Sequence, residues 1–98
     1  MIDGYLLNMR VFNDVGDCKG QALKPLEEAA GVFGAWQKRN VRYTSGKMCK
    51  AFSDELIDEC MGTVQAVANL LAAVGATQGE VDAAIKRMDE RNEGRGRL

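Results

Sequence analysis

Apolar positions in this chain recur at intervals of three and four from Leu26 onward, and nowhere alternate in twos for long enough to suggest a strand. The first such run is Leu26, Ala29, Ala30, Val32, Phe33 and Trp36. It follows Pro25, a residue suited to the first turn of a helix, where its missing amide hydrogen has no intrahelical partner to lose. A helix opening at Pro25 is therefore expected, and one that began nearer Cys18 would be kinked there. Phe33 and Trp36 fit its core-facing side. Asn40 to Ala51 reads as a connector, with Asn40, Thr44, Ser45 and Gly46 supplying turn chemistry. Ser53 is a suitable N-cap for the longest helix, with Asp54 and Glu55 in a first turn where the helix dipole favours negative charge. Ile57, Cys60, Val64, Val67, Leu71 and Val74 form an apolar seam on that helix, and Gly75 stops it. Beside the seam runs a stripe of polar or small residues, Glu55, Glu59, Gly62, Ala66 and Asn69, suited to facing a cavity.

Thr77 and Glu80 make a capping-box pair for a third helix, whose apolar face is Val81, Ala84, Ile85 and Met88 and which frays by Gly94. Ahead of all three helices, Ile2, Tyr5, Leu6, Met9 and Phe12 have helical spacing. Gly4 and the run Asn13 to Asp17 limit residues 1–17 to a poorly defined arm or a short helix. The pattern as a whole predicts an all-α chain, a single helical domain over residues 1–98 with a frayed basic tail at 92–98.

Length changes this picture in one respect: 98 residues can bury only a modest core, so a bundle completed by homo-oligomerisation is expected. Thirteen basic and fourteen acidic residues give a net charge of −1, too little to recruit nucleic acid or anionic lipid through an overall field. The basic stretch Lys38, Arg39, Arg42, Lys47 and Lys50, with Tyr43 among them, reads as a surface loop, and Arg91, Arg95 and Arg97 as a soluble tail. Cys18, Cys49 and Cys60 form no Cys-x-x-Cys pair and histidine is absent, which points away from a disulfide framework or a zinc site and towards free thiols in a reducing cytoplasm. No secretion signal is read. The uncharged stretch Cys60 to Thr77 is interrupted by Gln65, Asn69 and glycines, so no membrane span is expected.

The candidate chemistry lies in two acidic clusters on separate helices, Glu27-Glu28 and Glu55 with Asp58-Glu59. Position 31 shares a helix face with Glu27 and Glu28, and position 62 bears the same relation to Glu59; both are glycine. Carboxylates converging from two helices are a usual oxygen-ligand set for magnesium, which also favours substrate phosphates. Taken singly, Glu27 and Glu28 near a helix start also serve to complement the dipole.

Glu27-Glu28-Ala29-Ala30-Gly31 followed by Glu59-Cys60-Met61-Gly62 resembles the paired motifs of the MazG-type, all-α nucleoside triphosphate pyrophosphohydrolases, Glu-Glu-x-x-Glu and Glu-x-x-Asp. The run Val64 to Gly75, with Asn69, and the ending Val81 to Gly96, with Lys86, Asn92 and Arg95, are similar to the family's trailing segments, so the resemblance covers roughly residues 22–96. It implies hydrolysis of a nucleoside triphosphate to monophosphate and pyrophosphate, a nucleotide-pool housecleaning reaction. It also implies magnesium, or manganese, bound weakly or only with substrate. Carried over, Glu27, Glu28 and Glu59 are the catalytic acids, and Glu28 and Glu59, with Glu55 as a substitute ligand, are the metal set. Asn69, Lys86, Asn92 and Arg95 are the substrate contacts. Gly31 and Gly62 replace two of the five patterned acids, so the expected activity is impaired. The alternatives are a non-catalytic homo-oligomeric helical module that binds nucleotide weakly or serves in assembly, and an adaptor using Ile57 to Val74 to bind another protein.

Overall fold

The computed structural model describes residues 2–41 and 46–98, which form three helices and, among the described residues, no strand: α1 (Lys19–Val41), α2 (Gly46–Ala73) and α3 (Gln78–Gly94). Residues 2–17 run as an irregular arm, in keeping with Gly4 and the turn-forming run before α1. Arg42, Tyr43, Thr44 and Ser45, parts of the expected connector and basic loop, lie outside the described residues.

Two boundaries differ from the sequence expectation. α1 begins at Lys19 and carries Pro25 within it. The first turn closes with the Ala22 amide donating to Cys18 O at 3.0 Å, and Pro25, past that turn, cannot donate to the Gln21 carbonyl. α2 begins at Gly46, so Ser53 lies inside the helix and is no cap. Its hydroxyl instead accepts from Arg39 Nε at 2.9 Å, and the Lys50–Asp54 pair one turn apart supports the added segment.

The other ends follow their local chemistry. α2 closes in a Schellman arrangement: Gly75 has φ +78°, its amide donates to Ala72 O at 3.0 Å, and the Ala76 amide donates to Leu71 O at 2.9 Å. At the start of α3 the Thr77 hydroxyl accepts from the Glu80 amide at 3.2 Å while the Thr77 amide donates to Glu80 Oε1 at 3.0 Å, completing the capping box. That amide bond, seconded by the Thr77 hydroxyl, holds the Glu80 carboxyl below its ordinary value of 4.5.

α1 and α2 pack against each other, whereas α3 packs on neither and has no buried residue. The pairing is antiparallel, because partners on α2 fall in number as those on α1 rise: Glu28 meets Gly62, Gly31 meets Glu59, Lys38 meets Glu55 and Arg39 meets Ser53. The face that α2 turns to α1 is its small and polar stripe, with Ala66 and Asn69 only 4% and 3% exposed; on α1, Ala35 is 4% exposed, nearer the other end of the interface. Small side chains let the two backbones approach closely. The apolar seam therefore points elsewhere, and Ile57, Val67, Leu71 and Val74 are all exposed. Phe33 and Trp36, expected in the core, are exposed too and stack on one another with centroids 6.0 Å apart.

The candidate acidic cleft between the first two helices

In antiparallel register the two acidic motifs interleave. A β-carbon built on Gly31 would lie 2.5 Å from Glu59 Oε2, and one built on Gly62 would lie 3.1 Å from Glu28 Oε2. Glu28 and Glu59 thus each reach into the space left by the opposing glycine. Both are half-buried, and among the described residues neither is ion-paired. Two carboxylates at one helix interface offer hard oxygen donors to a cation entering between them.

The other acids are otherwise engaged. Glu27 faces solvent and accepts from Lys24 Nζ at 3.3 Å. Glu55, the expected substitute ligand, accepts from Lys38 Nζ at 2.7 Å. Among the described residues no group of three histidine, cysteine, aspartate or glutamate side chains is arranged to hold a metal. The donor set therefore does not fit a cage of protein ligands alone. It does fit magnesium delivered with a triphosphate, since that ion keeps several waters and commonly takes one or two carboxylates plus phosphate oxygens.

A cleft of about 170 Å³ adjoins this pair, with Glu28 and Lys24 from α1, Gly62 and Asn69 from α2, and Phe12 from the arm along its walls. Asn69 is buried at its base, where Oδ1 accepts from the Phe12 amide at 3.0 Å and from Gln65 Nε2 at 3.1 Å. Gln65 Nε2 also donates to Arg10 O at 2.6 Å. Lys86, Asn92 and Arg95 lie on or just past α3, and so within one chain are not brought to the α1–α2 interface. Lys24, Gln65 and Phe12 carry no sequence expectation as site residues. Only Lys24 had a readable signal, standing one turn before Glu28 on the same face.

In comparisons with protein-family models, curated proteins and solved structures, nothing matches this chain. No helix among the described residues is long and apolar enough to cross a membrane. Cys18 and Cys60 are free thiols.

Proposed function

We propose that this chain is a homo-oligomeric helical protein of the MazG-like nucleoside triphosphate pyrophosphohydrolase type, binding a magnesium-bound triphosphate between α1 and α2, with hydrolysis impaired by Gly31 and Gly62. The observation that carries this reading is the reciprocal fit of Glu28 beside Gly62 and Glu59 beside Gly31, two carboxylates from separate helices that reach into one interface and are not ion-paired among the described residues. Their oxygens are hard donors and supply the residues that would hold the metal. Magnesium bound there would neutralise charge on the phosphates and on departing pyrophosphate. Lys24, at the rim of the same cleft, provides a cation for the phosphate chain. Glu28 and Glu59 also serve as acceptors that orient an attacking water, which adds to the α-phosphorus as the bond to the β-phosphate bridging oxygen breaks. With two carboxylates instead of four in this interface, metal affinity and the fixed acceptors for water both fall.

The test restores the missing oxygens as Gly31→Glu with Gly62→Asp. The incoming side chains meet only carboxylate tips, which can swing aside. The double variant is expected to gain a magnesium-dependent rise in melting temperature and to release pyrophosphate from deoxynucleoside triphosphates, with the unaltered chain much weaker in both. If neither protein binds or cleaves any triphosphate at high concentration, the enzymatic reading fails. A second reading, a non-catalytic assembly module, is favoured by the exposed seam on α2 and predicts no effect of triphosphate on either protein.

A further inference from the structure

The arm crosses the open end of the α1–α2 groove and is fixed there by main-chain bonds. The Phe12 amide donates to Asn69 Oδ1, and Arg10 O accepts from Gln65 Nε2. These bonds hold the backbone and leave the Phe12 side chain unburied: the residue is 61% exposed although it borders the cleft shared with Glu28. An apolar ring anchored at a cleft mouth gains most when something flat covers it. Beside it, Gln65 and Asn69 each spend one amide atom on the arm, and Gln65 Oε1 and Asn69 Nδ2 make no hydrogen bond among the described residues. No buried side-chain polar atom among those residues lacks a partner, so Asn69 Nδ2 keeps some solvent contact, and the residue lines the cleft although it is 3% exposed. One face therefore presents an aromatic ring, a hydrogen-bond donor and a hydrogen-bond acceptor. Along α2 the rise from Gly62 is about 4.5 Å to Gln65 and about 10 Å to Asn69, so this end of the groove adjoins the acid pair within one cleft.

We infer that Phe12, with Gln65 and Asn69, forms a nucleobase subsite, in which the arm supplies a stacking wall and the two amides meet the edge of the base. This rests on the proposed binding of a triphosphate at Glu28 and Glu59, and assigns the other end of the same ligand. The cleft volume suits a single ring system and not a whole nucleotide, whose phosphates then extend along the groove towards the acids. Stacking on an aromatic tolerates every base, so the ring supplies affinity and the amides supply preference.

The experiment measures calorimetric binding of two magnesium-bound ligands, a deoxynucleoside triphosphate (dATP, dCTP, dGTP and dTTP in turn) and inorganic tripolyphosphate, to the intact chain and to Phe12→Ala and Phe12→Trp. Because the arm is held by backbone atoms, neither substitution removes its anchoring bonds, and circular dichroism checks that helicity is kept. Phe12→Ala is expected to weaken the nucleotide about 10-fold and leave tripolyphosphate unchanged, with Phe12→Trp close to the unaltered chain. Equal effects on both ligands, no effect on the nucleotide, or a tryptophan variant as weak as alanine would overturn the subsite while leaving the phosphate site standing. If the unaltered chain binds neither ligand, the triphosphate reading is at fault and the base subsite goes with it.

Discussion

Glycine in a helix interior costs up to about 1 kcal/mol relative to alanine, so Gly31, Gly34 and Gly62 together are a burden that helix propensity does not explain. Their surroundings separate them. A β-carbon at Gly34 meets nothing within 4 Å, whereas one at Gly31 meets the Glu59 carboxylate at 2.5 Å and one at Gly62 meets that of Glu28 at 3.1 Å. Gly34→Ala is therefore expected to stabilise the chain by roughly 0.5–1 kcal/mol, read by urea denaturation. Gly31→Ala gains the same backbone term but must turn the Glu59 carboxylate outwards, so its net gain falls below that of Gly34→Ala. A Gly31→Ala gain equal to that at Gly34 would mean that the Glu59 carboxylate does not occupy the notch. Glu27 and Glu55 provide a contrast: their exposed lysine partners contribute at most about 1 kcal/mol, so Lys38→Ala should change stability little.

At the scale of whole helices, the ends set by short-range chemistry carry their own tests. Gly75 sits at φ +78°, where any side chain is strained, so Gly75→Ala should cost about 1–2 kcal/mol, measured as a fall in the denaturation midpoint. Thr77→Ala removes the cap of α3 and should cost about 1 kcal/mol of that helix. The same cap gives α3 a pH dependence whose sign is fixed. The Glu80 carboxyl is depressed in the folded chain by its bond from the Thr77 amide, so its contribution is present above the unfolded value near 4.5 and is lost as pH falls through the lower folded value. Helical circular dichroism should therefore drop over that acid range, and Glu80→Gln should flatten the part of the drop belonging to α3.

These two ends, at Gly75 and Thr77, were legible in the sequence because each is decided by residues within one turn of chain. The start of α1 was not, since Pro25 disfavours a helix interior without forbidding one, and Lys19 to Lys24 form a turn ahead of it. Ser53 looked like a cap because nothing local reveals that Lys50–Asp54 and Arg39 carry the helix through it. For the cleft, the order of the acidic motifs pointed to Glu28 and Glu59. The arm was invisible as a wall, because it docks through Arg10 O and the Phe12 amide, atoms that every residue type shares.

At the scale of the whole molecule, the single chain leaves much of its apolar surface uncovered. Its radius of gyration is 16.2 Å, against about 13 Å for a compact domain of this length. It exposes 7865 Å² of surface, where scaling with mass gives about 5,500 Å². That excess is larger than the roughly 800 Å² each partner buries in a standard interface, and it includes the α2 seam, Phe33 and Trp36, and the uncovered Ile85 and Met88 of α3. α2 has already spent its small and polar stripe on α1, so its apolar stripe has no intrachain helix left to cover it. A second copy offers the same stripe, and two such stripes match each other in chemistry and length, the condition for a self-complementary two-fold interface. Sedimentation equilibrium is thus expected to give a multiple of 10.7 kDa. Val67→Glu with Leu71→Glu, on the exposed stripe and away from the acid pair, should shift the protein to monomer and lower helicity in α3, which has no buried residue of its own. A wild-type chain that sediments as a monomer at high concentration with α3 fully helical would show that α3 stands without a partner. Such a result would also leave the apolar stripe to another protein instead of a second copy.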